Sequence, residues 1–294
     1  MSLAELIPLV LKASILIIVF SLGLNARPAD LTYFLRHPGR LVRTLLAMLV
    51  AMPVIAVLLV RGFGLPHTIA VMLIALSLSP VPPVLPRKQA KAGGDASYAI
   101  GLLAAVGLAS IVWIPLALEI VERVFSIPLG IPPARVATMV GITILLPLAA
   151  GVIVAQLAPG LAERFAPHLA RLGGLLLAIA ALAILVSQWR AVFGLLPGGA
   201  PAFAIFVALG LLVGHLLGGP DPDDRTVLAL ATASRHPGVA LAIVHINFPD
   251  EKAVIAAVLL FLLVNALLSI PYVAWRKRAG ATADLDFSRP RSKT

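Results

Sequence analysis

Arg235 lies about nine residues into an apolar stretch that runs from 226 to 247, roughly 14 Å from the nearer edge of any bilayer it crosses. A guanidinium at that depth costs about 2.5–3.5 kcal/mol on insertion scales, so it needs a partner or a wet cavity. Two chemistries suit it. It can cap carbonyls released by Pro237, or it can bind an anion and compensate charge. His236 follows at once and reads either as a hydrogen-bonded packing residue or as part of the same site. Ser77, Ser79, Ser234 and Asn265 are able to join helices or to line a pocket, and Lys12 either lines the same cavity or snorkels. Arg87 and Lys88 stand directly behind a cluster of prolines. The absence of cysteine removes disulfides, thiolate nucleophiles and cysteine-ligated metals. His215, His236 and His245 are scattered and have no acidic co-ligand, which makes a poor metal site. All 13 carboxylates map to span ends, loops or the tail. A sodium site usually needs a carboxylate among its oxygens, and a membrane enzyme needs paired acids, a metal set or an activated nucleophile. Neither is expected, nor is a cofactor.

The elements that carry these residues are membrane helices. Hydrophobic residues make up 60% of the 294 and charged ones 12%, against about 25% charged in an ordinary soluble domain. Mean hydropathy is +1.04. Apolar runs near 6–24, 42–60, 68–92, 96–118, 136–157, 172–188, 202–218, 226–247 and 254–275 predict an all-α polytopic membrane protein with nine crossings. With the amino terminus outside and the carboxyl terminus cytoplasmic, sixteen of the 23 Lys and Arg residues fall on the inner side and five on the outer. This positive-inside bias predicts a multi-pass protein of the inner, cytoplasmic membrane. The net charge of +10 therefore reflects topology and not a nucleic-acid partner. Residues 1–275 read as one membrane domain, and 276–294 as a disordered basic cytoplasmic tail.

Two of these spans are not ordinary helices. Pro80, Pro82, Pro83 and Pro86 fall within seven residues, and each removes a backbone donor and clashes with the carbonyl one turn back. Pro237-Gly238 interrupts the eighth span near its middle. Broken backbone at membrane depth survives only inside protein or beside water. Two such spans, five crossings apart, are the pattern of an inverted-repeat secondary transporter whose site lies where the breaks meet. A simple proline kink in each is the alternative.

The eighth span, ATASRHPGVALAIVHINFP, the proline-rich break ahead of RKQAK, and the order of the spans resemble the bile acid:sodium symporter family. The resemblance covers nearly the whole chain. It implies the nine-helix version of a fold with two inverted repeats, a panel domain and a core domain in which two broken helices cross, and an organic anion as substrate. The family's eighth-span motif resembles E-x-G-x-Q-N-S-G. With Gly238 on its last glycine, the Glu position is Ala231, the Gln position is Arg235, and Asn-Ser become His236-Pro237. The family's Ser-Asn pair at the first break falls near Leu85-Pro86, beside Arg87 and Lys88. Sodium ligands are thus substituted at both breaks.

The expected function is alternating-access transport of a small organic anion, with no sodium coupling because fixed cations hold the place of the metal. Arg235, His236, Arg87, Lys88, Asn265 and Ser234 are the expected substrate-binding residues. His236 offers a route to proton coupling. The alternatives are a sodium-coupled symporter with relocated ligands and a membrane receptor that does not transport. An enzyme is not expected.

Overall fold

The computed structural model describes residues 3–287, with side chains placed for 6–279. Helix α1 (Leu3–Leu24) is followed by the short helices α2 (Pro28–Leu31) and α3 (Tyr33–Arg36). Next come α4 (Pro38–Leu45), a π-helical stretch (Leu46–Ala51) and α5 (Met52–Gly62), which run on as one rod. Then follow α6 (His67–Leu78), α7 (Leu85–Lys91), α8 (Ala96–Phe125) and α9 (Pro133–Val140), which passes through a second π stretch (Gly141–Leu145) into α10 (Leu146–Leu157). The last four helices are α11 (Pro159–Leu217), α12 (Pro222–Ala233), α13 (Pro237–Asn247) and α14 (Val254–Phe287). Among the described residues there is no strand.

Seven described helices are long and apolar enough to cross a membrane. Their outer faces carry the signature of lipid contact. Leu108, Val112, Leu116 and Ile120 on α8, and Leu46, Val50, Val54 and Leu58 on the α4–α5 rod, are exposed at four-residue spacing. A water-soluble protein does not leave apolar ridges of that length uncovered. The polypeptide is a multi-pass membrane protein.

The run 68–92, read from the sequence as interrupted, holds α6 with 12 residues and α7 with 7, and the prolines at 80, 82 and 83 lie between them, where they interrupt helical hydrogen bonding. Two departures from the sequence reading have physical causes. The separate runs 172–188 and 202–218 form one helix of 59 residues, and the linking Pro197-Gly198-Gly199-Ala200-Pro201 keeps helical backbone. Helix α14 continues to Phe287, so residues 276–287 carry helical backbone where a disordered tail is expected; 288–294 lie outside the described residues.

Helix α11 doubles back on itself. A straight rod would hold Ala170 and Gly218 roughly 72 Å apart. Yet the Ala170 carbonyl accepts a 2.8 Å bond from Arg87, while Gln89, two residues along α7, donates at 2.7 Å to the Val227 carbonyl, close to the Arg225 backbone against which Gly218 packs. Both arms therefore end near α7. The second arm lies antiparallel to α12 on a ladder of small residues. Gly210 meets Ala233, Gly214 meets Ala229 and Gly218 meets Arg225, one rung per four residues on each helix. Close approach of this kind is how membrane helices gain packing energy without a hydrophobic drive. The same device joins α1 to α10, where a Cβ on Gly23 would lie 2.9 Å from the Gly151 Cα.

Candidate functional site

Helix α6 ends at Leu78 and α12 ends at Ala233. Ser79, Ser234 and His236 take extended backbone, and the two extended segments are joined directly: the His236 N–H donates to the Pro80 carbonyl at 2.8 Å. Every buried helix terminus must find partners for its last carbonyls. On α12, Ser234 N–H serves Leu230 and Ala231, Arg235 Nη2 serves Thr232 at 3.2 Å, and Asn265 Nδ2 serves Ala233 at 2.8 Å. Asn265 Oδ1 in turn accepts from the Ser234 hydroxyl at 3.4 Å.

Arg235 is fully buried. Besides Thr232, its Nη1 donates to the Ser79 carbonyl at 3.2 Å and its Nη2 to the Met48 carbonyl at 3.4 Å. Ser79 is the C-cap residue of α6, so its carbonyl lies at that helix's end. That of Met48 belongs to the π stretch Leu46–Ala51, which precedes Pro53; a proline without an N–H leaves a carbonyl on the preceding turn without its helical partner. The guanidinium thus joins three elements, and two of them present helix C-termini worth about half a negative charge each. Those ends together offset roughly one positive charge. No described carboxylate pairs with it. Its Nε, also buried, has no hydrogen-bond partner.

His236 caps α13: its Nδ1 accepts from Gly238 N–H at 3.2 Å and Val239 N–H at 3.4 Å. A ring nitrogen that accepts two bonds carries no hydrogen, so in the neutral ring the hydrogen sits on Nε2. Nε2 is buried and unpartnered.

Both residues line a cavity of about 390 Å³ whose remaining wall is mostly apolar, built by Leu11 and Ile15 of α1, Leu177 and Ile184 of α11, and Val258 and Leu262 of α14. Ser234, Asn265, Lys88, Pro82, Pro83, Leu85, Pro237 and Gly238 also face it. Of the six expected binding residues, five meet here. The sixth, Arg87, lies half-buried in a wider cleft of about 710 Å³ that shares Val84, Lys88 and Leu177 with the cavity. Lys12 lies elsewhere. It is exposed on another face of α1, in a groove with Arg135 and Thr138, because the helical rotation that turns Leu11 toward the cavity turns position 12 away, with Ile15 between the two. His215 Nδ1 lies 3.0 Å from the Tyr272 hydroxyl and His245 Nδ1 2.9 Å from the Leu241 carbonyl, so neither belongs to the site. Ala231 and Leu85, two of the substituted positions, are buried and apolar. Sequence reasoning missed the Met48 carbonyl, for which Pro53 was the available sign.

The sodium bile acid symporter family matches residues 13–194. The chain belongs to that family. As a sodium bile acid symporter family member it is a membrane transporter and not an enzyme. The matched residues include the first interruption and stop short of the second, which holds Arg235 and His236. The chain is also similar to the sodium-dependent organic anion transporter of Rattus norvegicus, with 26% identity over 276 residues, 89% of this chain and 73% of the relative.

Proposed function

We propose that this family member is a secondary carrier for an amphipathic organic anion that works without sodium, because Arg235 holds permanently the charge that a bound cation would supply. One observation carries the reading: a fully buried guanidinium donates to carbonyls on both sides of the crossing, at Ser79 and Thr232, with no described carboxylate beside it. Carbonyls and half-helix C-termini are what hold sodium in carriers with broken helices. An arginine in that position cannot dissociate, so it stores no ion gradient.

The substrate head group is held by the two nitrogens left over, Arg235 Nε–H and His236 Nε2–H, with Lys88 supplying net positive charge at the rim. The apolar wall takes an organic body. That division suits a carboxylate or sulfonate on a hydrophobic frame, in keeping with the organic anion named for the rat relative. His236 acts as a fixed donor and carries no proton through the cycle.

The reading extends to topology. Nine crossings follow if each arm of the doubled-back α11 counts once and α6 with α7 forms one interrupted crossing. Two inverted repeats are supported by order: each interruption leads into a long helix with an internal proline, Pro115 in α8 and Pro271 in α14. The excess of basic residues on one side supports an amino terminus outside, in the cytoplasmic membrane.

Uptake of labelled organic anions into proteoliposomes, with sodium or with an impermeant cation outside, tests coupling. Equal rates are expected. Strict sodium dependence would sink the proposal in favour of relocated ligands, and binding without exchange of internal for external anion would point to a receptor.

A further inference from the structure

The wider cleft holds more positive charge than a carrier of singly charged anions needs. Arg87 and Lys91 come from the α7 helix, Lys88 lies between them, Arg171 comes from the first arm of α11, and Lys277 from α14. Among the described residues none of the five makes an ion pair with a carboxylate. Arg87 is aimed by its bond to the Ala170 carbonyl, which leaves its other guanidinium nitrogens free of described partners. A second, independent observation sits in the wall between them. Ser269 of α14 is completely buried, and its hydroxyl has no hydrogen-bond partner, although a helical serine ordinarily bonds the carbonyl three or four residues back, as Ser110 and Ser187 do here.

Like charges from three helices repel, and at a cleft with apolar walls the repulsion is less screened than in open water. A single carboxylate would cancel one of the five. A tetrahedral oxyanion presents several oxygens at once, matches the arginine fork, and can accept from a hydroxyl on its remaining side. We propose that this cleft is a second anion site, separate from the mid-depth cavity, that takes a phosphate-class oxyanion with two or more negative charges and through it ties α7 and α14 to α11. The group is carried either by a soluble phosphate or by a phosphomonoester lipid head group. The volume left over, bounded by Ile18 and Ile270, accommodates an organic or acyl portion. Binding stands apart from the carrier reading; only its effect on transport rests on that reading, since the helices it ties together are those lining the cavity.

Thermal unfolding of the purified full chain tests the site, with inorganic phosphate compared against chloride at equal ionic strength, and with nanodiscs of phosphatidylcholine compared against the same lipid containing phosphatidic acid. A rise of about 2–4 °C in the midpoint is expected in one arm. A rise with inorganic phosphate assigns the soluble source; a rise confined to the phosphatidic acid nanodiscs assigns the lipid. Lys91→Gln, Arg171→Gln and Lys277→Gln remove one exposed cation from each helix, and each is expected to shrink the rise while the midpoint in chloride stays level or climbs slightly as repulsion is relieved. Ser269→Ala is expected to shrink it too. No rise in either arm, or a rise that only one of the three helices controls, overturns the proposal. Arg235→Gln separates it from the carrier reading, because the phosphate-dependent rise is expected to persist in that variant whatever happens to uptake.

Discussion

Arg235 reconciles two chemistries that its sequence context left open. Its Nη atoms donate to carbonyls, so much of its charge is spent on helix ends, and its Nε is buried without a hydrogen-bond partner, the one donor left for the proposed anion. Arg235→Gln leaves the Ser79 and Met48 carbonyls buried without a donor, and a loss of about 2–4 kcal/mol in unfolding free energy is expected, read from thermal or denaturant unfolding in detergent. His236→Asn isolates the second role. Asparagine is a good helix N-cap, so stability should hold to within about 1 kcal/mol, but its amide does not reach where Nε2 does. Losing one charge-assisted hydrogen bond is worth about 1.5–3 kcal/mol, so KM for anion uptake should rise about tenfold or more at nearly constant kcat. That these two residues stand at an interruption of an apolar span was legible from spacing. Their division of labour was not, because it depends on Met48, which is 187 positions away along the chain.

At the level of elements, the interruption after α12 is aimed by what α12 packs against. Asp224 in its first turn pairs with Arg40 at 2.7 Å, Gln89 donates to its Val227 carbonyl, and the glycine ladder of α11 fixes its height. A Cβ on Gly214 would lie 2.5 Å from both the Leu228 oxygen and the Ala229 Cα, whereas one on Gly174 would meet nothing within 4 Å. Gly214→Leu is therefore expected to cost about 1–3 kcal/mol or more and to reduce uptake by displacing Arg235, while Gly174→Ala should leave both unchanged within error. Folding yield and uptake in the same membranes measure this pair. Apolar periodicity located α11 and α12. It carried no information about their register, since Gly210, Gly214 and Gly218 acquire meaning only opposite Ala233, Ala229 and Arg225.

Across the whole molecule, the fold-back of α11 decides which surfaces share a side. The chain has no cysteine, so single substitutions report cleanly. Cysteines introduced at Arg171 and Pro220 should react with an impermeant thiol reagent from one side of the membrane, and one at Arg190 from the other; labelling of all three from one side would contradict the doubled-back arrangement. Sequence alone determined that this chain lives in a bilayer, which residues interrupt helical hydrogen bonding, and which family it resembles, because hydropathy, proline stereochemistry and short motifs are local properties. Tertiary structure decided that Lys12 faces away from the cavity, that Arg87 belongs to the wider cleft, and that a run of 59 helical residues turns back toward its start. Those are matters of rotation about a helix axis and of partners far apart along the chain, and charge and spacing do not encode them until the helices are packed.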